Sequence, residues 1–559
     1  MKKPLRSNAA NSPGRRAHWL ALGLSDEDMQ KPKIAVVNSS SELAICFSHL
    51  DGVAKLVKDA IRAAGGIPFE FHTTAPSDFI FMAGEHGAYL LSSRDLVVND
   101  IEATVEGSQL DGMVCLTSCD KTIPGHLMAA GRLNIPSILV ICGYQPSGRY
   151  DDKYVDIEDV FIGSVQTFFG KLSQDELRKM SENAISGPGV CAGMATANSM
   201  HIVCEALGMT LPGSAPILAD SPKMKAIARE SGKRIVAMVE EDLKPRDIMT
   251  AGAFRNAVAC VQAVSGSINC VKHLQATAHE AGVDLDIFGL FNEIGARVPV
   301  LSAVRPNGKN TIAEFEEAGA ASALLKQLEP LLDTSCMTVN GKTLKENLAT
   351  VKVHNPEVIR PLLRPFSKKA SIIILRGNIA PDSSIVRLGV RDESRADTFT
   401  GTAIVYENNQ DAMAGLERGD VKPGHVLILR GQGLKGGPAM AGGASMVVFA
   451  IYSAGLQNEI AFITDGQLSG LCNKGITIAE VAPESADGGP LCLVENGDRI
   501  SIDIDKHLLN LEVSEKELAA RRTRLGEQEL PAATGYLGIY QRGVQPMSTG
   551  AVLVKNKFC

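Results

Sequence analysis

Three things are scarce in this chain of 559 residues, and each scarcity removes a class of protein. There is no long run of Lys or Arg, and the formal charge is −7, so the basic footprint of a nucleic-acid binder is missing. No apolar stretch reaches the roughly 18–20 residues that span a bilayer, which argues against a membrane protein. The 12 cysteines are dispersed and include no CxxC pair, unlike a short disulfide scaffold or a standard zinc or ferredoxin site. Low-complexity tracts and short-period repeats are absent as well.

What is present is ordinary globular composition, 45% hydrophobic and 21% charged. The length exceeds one hydrophobic core, so two or more domains are expected. Dispersed thiols read as a reduced, cytoplasmic protein. The basic, acid-poor N-terminus carries Arg and Ser, which leaves an organelle transit peptide open as an alternative.

The runs KIAVVN (33–38), LDGMVCLT (110–117) and PSILVIC (136–142) are β-like and alternate with helix-like stretches, the βαβ signature of a parallel sheet. Ligands of such sheets sit where strands end, so the polar loops after them are the places to look. Helical patterning dominates from 155 to 335. Three prolines in VKVHNPEVIRPLLRPFSKKA then mark a change of texture. Beyond it, SIIILRGN, TAIVYEN, HVLILRG, EIAFITDG, PLCLVENGD and RISIDID are short β-like runs. The expected architecture is an N-terminal α/β domain over 1–360 and a β-rich, barrel-like domain over 361–559.

Three cysteines stand in polar or glycine-rich loops: Cys46 in SSSELAICFSH, Cys119 in TSCDKTIPG and Cys191 in SGPGVCAGMATANSM. Cys119 and Cys191 precede helix-like segments, where the helix dipole and free N–H groups stabilise thiolates. Spacing alone does not separate a metal site here from buried thiols. The other nine cysteines fall mostly in apolar contexts and read as core.

SCDK at 118–121, GVCAGMATANSM, SGSINCVKHL (265–274), TVNGKTLKENL (338–348), RGNIAP (376–381), LKGGPAM (434–440) and TDGQLSG (464–470) together resemble the dihydroxy-acid and sugar-acid dehydratase family, which includes phosphogluconate dehydratase. The resemblance is collinear from residue 13 to residue 525. It implies a [2Fe–2S] cluster on Cys46, Cys119 and Cys191, with one iron left open as a Lewis acid. It implies a magnesium ion held by Asp78, Asp120 and a carboxylated Lys121, since hard oxygen ligands suit that ion. It makes Ser469 the base for the C2 proton of a 2,3-dihydroxy acid, giving a 2-keto acid. It implies an α/β domain and a barrel-like domain with the site between them, usually in a homodimer or a dimer of dimers. Read without the resemblance, Asp78 is a helix cap or loop acid, Asp120–Lys121 a surface ion pair, and DGQLSG a turn into a helix.

The chain departs from the family pattern on one side of this site. A glutamate that ligates magnesium in the family falls on Gly442. An arginine beside the serine falls on Gln467, and the glutamate of RYEGP is missing from RGQGL (430–434). The N-terminal half resembles the branched-chain acid enzymes, and FEEAGAASALLKQLEPLL resembles the pentonate dehydratases. Three readings stand: a dehydratase, a non-catalytic relative that keeps the fold for binding or regulation, and a structural zinc protein.

Overall fold

A computed structural model describes residues 5–9, 12–82, 87–390, 397–437, 442–526 and 529–553. The first sheet contains β1 (Lys33–Asn38), β2 (Ile67–His72), β3 (Gly112–Thr117) and β4 (Ser137–Ile141). All four are parallel, in the order β2-β1-β3-β4. The runs KIAVVN, GMVCLT and SILVI are buried throughout, as expected of parallel strands covered on both faces. The helix Leu50–Ala63 turns Leu50, Val53, Ala54, Val57 and Ile61 inward at helical spacing. It crosses the helix Pro222–Glu241 at Gly232, where an added Cβ would lie 2.7 Å from the Val57 carbonyl.

Chain order reverses between β1 and β3. The crevice at their C-terminal ends is the topological switch point, the usual ligand position in an open parallel sheet.

A small hairpin, β5 (Gly148–Tyr150) and β6 (Lys153–Val155), precedes a long helical stretch. The second sheet has eight strands: β7 (Ile372–Leu375), β8 (Ser383–Arg387), β9 (Thr398–Tyr406), β10 (His425–Leu429), β11 (Ala461–Thr464), β12 (Ile476–Ala482), β13 (Arg499–Asp503) and β14 (Leu508–Leu511). Their order is β14-β13-β9-β10-β11-β12-β8-β7, with β9 to β12 parallel and the flanking pairs antiparallel. The edges nearly meet: Arg376 N–H donates to the His507 carbonyl at 3.0 Å, and Leu509 N–H to the Arg376 carbonyl at 2.9 Å. The mixed α/β class with a barrel-like second sheet therefore holds. No helix among the described residues is long and apolar enough to cross a membrane.

One expected strand does not form. PLCLVENGD contains a 3-10 turn, Pro490–Leu493. The Arg430 guanidinium donates to the Cys492 and Val494 carbonyls at 2.9 and 2.8 Å, taking acceptors that a neighbouring strand would need.

Side chains of β10 alternate between two cores. Leu427 and Leu429 join a cluster continuous with the N-terminal half, while Val426 and Ile428 belong to a second. The fully buried Arg387 at the end of β8 fastens the halves together. Its guanidinium donates to the Gly470 carbonyl, to Cys472 O at 3.4 Å, to Ser265 O at 3.2 Å and to Asn307 Oδ1 at 3.1 Å. Burial among these neutral acceptors pulls its pKa down to about 10. Arg387→Met is expected to lower the free energy of unfolding by about 3 kcal/mol, because buried acceptors lose a charged donor. Denaturant titration followed by tryptophan fluorescence and circular dichroism measures the change.

Candidate active site

The first two thiols come from the switch-point loops. Cys46 lies between β1 and the helix Leu50–Ala63. Cys119 lies between β3 and the helix Thr122–Leu133. Ser118 Oγ donates to the Cys46 carbonyl at 2.5 Å, which ties the two loops together, and Thr122 Oγ1 donates to the Cys119 carbonyl at 3.0 Å within the second. Cys191 arrives on a third loop, ahead of the helix Thr196–Ala206. Asn198 Nδ2 holds that loop through the Cys191 and Gly193 carbonyls at 2.9 and 2.8 Å. Cys119 and Cys191 thus precede helices as expected, and Cys46, Cys119, Cys191, Asp78, Asp120 and Ser469 line one cavity of about 210 Å³. Its rim is apolar, with Leu43, Ile45 and Ile80 exposed.

Asp78 opens the short helix Asp78–Phe81. One ligand atom each from Asp78, Cys119 and Asp120 lies within 4.8 Å of the others. The Lys121 ammonium is completely buried, 2.8 Å from Asp120 Oδ1 and 3.7 Å from Asp78 Oδ1. Asp120–Lys121 is therefore an interior pair, not a surface one. Burial opposes charge on both partners. Their mutual attraction outweighs it, holding Asp120 below and Lys121 above their ordinary ranges. Asp78 adjoins both charges. Burial, then the Asp120 charge, pushes its carboxyl well up, and its shielded Oδ1 accepts no hydrogen bond among the described residues. The Cys119 thiol is pushed up by its hydrogen bond with Cys46 and then by burial, and the Cys191 thiol by burial and then the Cys119 charge. Acids and thiols so crowded favour a bound cation, which would relieve the upward shifts of Asp78, Cys119 and Cys191 together.

Ser469 comes from the second sheet. DGQLSG follows β11 and leads to the strand β12, so it is a strand-to-strand loop and not a turn into a helix. The Asp465 carboxylate anchors its start, accepting from the Gly431, Gln432 and Ser485 amides at 3.1, 2.9 and 2.9 Å. Ser469 N–H donates to Ser445 Oγ at 2.9 Å, and Ser469 Oγ accepts from Leu471 N–H at 3.3 Å. That amide favours negative charge on the hydroxyl oxygen. An added Cβ on Gly470 would sit 2.8 Å from the Thr196 amide nitrogen and 2.7 Å from Ser267 Oγ. Only glycine lets the serine loop lie this close to the positive end of the helix Thr196–Ala206.

Gly442 begins the helix Gly442–Ser453, and 438–441 lie outside the described residues. Gln467 is buried, and neither atom of its side-chain amide has a hydrogen-bond partner among the described residues. Of the remaining cysteines, Cys115, Cys142, Cys204, Cys260, Cys270, Cys336 and Cys472 are buried, Cys492 is half-buried, and Cys559 is outside the described residues.

Sequence reasoning missed several residues of the site. Gln145 lines the cavity, and its backbone N–H donates to the Val190 carbonyl at 2.7 Å. Its buried Nε2 has no partner among the described residues. Thr196, Asn269 and Lys272 stand inside recognised motifs, but nothing in the motif spacing separates them from core positions.

Gly470→Ala is expected to lift the serine loop off the helix and reduce any turnover at this site at least tenfold. The helical circular dichroism should be preserved. Steady-state kinetics on the folded variant reads the effect.

Comparison with known proteins agrees with this geometry. Residues 31–347 match the family model described as dihydroxy-acid/6-phosphogluconate dehydratase N-terminal, and 357–551 match its C-terminal counterpart. The chain is 42% identical over 557 residues to dihydroxy-acid dehydratase 1 of Methanosarcina acetivorans, covering 99% of this chain and 100% of that one. It is 43% identical over 537 residues to the dihydroxy-acid dehydratase of Methanosarcina barkeri, covering 95% and 96%. With that of Ignicoccus hospitalis it shares 39% over 540 residues, covering 96% and 97%. On both halves of its length, the chain belongs to the dihydroxy-acid/6-phosphogluconate dehydratase family.

Proposed function

We propose that this protein is an iron–sulfur hydro-lyase that converts an aliphatic 2,3-dihydroxy acid into a 2-keto acid. The observation that carries the reading is the single cavity shared by Cys46, Cys119, Cys191, Asp78, Asp120 and Ser469. The apolar rim of Leu43, Ile45 and Ile80 suits a hydrocarbon substituent better than the hydroxyls of a sugar acid.

The donor set fits both groups implied by the family. Three soft thiols suit a [2Fe–2S] cluster, and Asp78 Oδ1, which accepts no hydrogen bond among the described residues, suits with Asp120 a hard cation such as magnesium. Carboxylation of Lys121 would replace a buried cation by an oxyanion and add a third hard ligand. When bound, the two metal centres would supply Lewis acidity for the leaving C3 hydroxyl and positive charge for the substrate carboxylate.

The chain's own residues do the rest. Ser469 Oγ takes the proton from C2, with the Leu471 amide and the nearby helix terminus favouring charge on that oxygen. Loss of the C3 hydroxyl as water leaves an enol, which tautomerises to the 2-keto acid. The apolar rim limits access of bulk water to the carbanionic face.

Anaerobic purification followed by assay on a panel of dihydroxy and sugar acids tests this reading. Keto-acid formation from branched aliphatic dihydroxy acids is expected, and Ser469→Ala should cut it at least a thousandfold while the visible absorbance stays unchanged. Absorbance with no product from any acid would support the binding or regulatory alternative, and absence of iron would refute the cluster. Gly442→Glu is expected to tighten magnesium binding severalfold in calorimetry, because it adds an oxygen ligand at the position where the family resemblance implies one.

A further inference from the structure

Behind the serine loop, away from the cavity, lies an ion pair that the chemistry above does not use. Lys272, on the helix Asn269–Ala281, meets Glu480, on β12, with Nζ 2.5 Å from Oε1. Both side chains are completely buried. The pair joins the α/β half to the barrel-like sheet. A pair taken out of water this completely repays little in stability, and replacement by apolar groups is often neutral. Stability alone therefore does not account for the pair.

The hydrogen bonds around it supply a role. The Lys272 ammonium also donates to Asn269 Oδ1. An ammonium can only donate, so this contact fixes which way the Asn269 amide faces. The Nδ2 end is turned to Leu468 O at 3.1 Å and to Thr196 Oγ1 at 3.0 Å. Leu468 immediately precedes Ser469. Thr196 lines the cavity and begins the helix on which Gly470 rests. From the other side, Glu480 N–H donates to Gly466 O at 3.0 Å. Glu480 does so from a left-handed backbone conformation, φ +56°, which costs a residue with a side chain about 1 kcal/mol. Its second oxygen, Oε2, has no hydrogen-bond partner among the described residues, so Lys272 is its principal compensation.

We propose that Lys272 and Glu480 are positioning residues for Ser469. The ammonium orients Asn269, Asn269 and the Glu480 amide grip the loop at Leu468 and Gly466, and the serine hydroxyl is thereby held over the cavity. Lys272 also lies near enough to Asp120 for its charge to favour the ionised carboxylate there. The inference rests on the dehydratase reading for its kinetic effect, but not for its structural one.

Four proteins test it: the wild type, Lys272→Met, Glu480→Gln and the double variant Lys272→Met/Glu480→Met, each prepared anaerobically as the full chain. Lys272→Met is expected to lower kcat at least thirtyfold with KM within threefold of wild type and iron content unchanged. It should also speed deuterium uptake of the 465–472 segment at least tenfold. Glu480→Gln keeps an acceptor for the ammonium and should retain more than a third of kcat. The double variant carries no lone buried charge. It should recover the wild-type thermal midpoint but neither kcat nor the slow exchange of 465–472. Recovery of kcat and slow exchange together with the midpoint would show a purely structural pair and overturn the proposal. So would wild-type kcat and exchange in Lys272→Met. If the wild type makes no keto acid, the dehydratase reading fails, and the exchange measurement still decides whether the pair orders the loop.

Discussion

The site depends on one steric constraint, the contact between Gly470 and the first turn of the helix Thr196–Ala206. Cys46, Cys119, Asp78 and Asp120 come from loops of a parallel sheet, and Cys191 from a loop between two helices. The serine comes from a loop of a different sheet more than 250 residues later in the chain. Chemistry that needs both requires the loops to meet at backbone distance, which a Cβ at residue 470 would prevent. Arg387 reinforces the same seam by taking carbonyls from both sides of it, Ser265 on one and Gly470 and Cys472 on the other.

Electrostatics gives the meeting point its character. Two carboxyl groups and three thiols face a small cavity, with the Lys121 ammonium beside the acids. Burial raises Asp78 and Cys191, the hydrogen bond with Cys46 and then burial raise Cys119, and neighbouring charges add to each shift. Such a cluster is costly as a structural element and well matched to bound cations. The buried Lys272 stands behind it and adds positive charge without entering the cavity. Gly442, at the start of the helix Gly442–Ser453, and Gln467, after β11, both belong to the barrel-like half. The buried side-chain amide of Gln467 has no hydrogen-bond partner among the described residues.

Much of the architecture was legible in the sequence. Parallel strands buried on both faces must be continuous apolar runs, so β1, β3 and β4 stood out, and the loops after β1 and β3 pointed to the crevice. The strand expected in PLCLVENGD did not form, because propensity cannot reveal that the distant Arg430 claims its carbonyls. The helix expected after DGQLSG was wrong for a similar reason: tertiary contacts to Ser445 and Thr196 set the loop, and β12 follows. Cys46, Cys119 and Cys191 could not be told from core thiols by spacing, and only the collinear motifs singled them out. Gln145, Asn269, Lys272 and Glu480 escaped notice because a buried polar side chain at a core-like position has no signature until its partners are known.

The central proposal is that Cys46, Cys119 and Cys191 would hold an iron–sulfur cluster in the cavity that Ser469 also lines. Mössbauer spectroscopy of anaerobically prepared, iron-57-enriched protein, with and without a dihydroxy acid, tests it most directly. The account predicts two inequivalent irons, one of which changes its quadrupole splitting when the acid binds. Two equivalent irons that ignore the acid, or no bound iron, would contradict it.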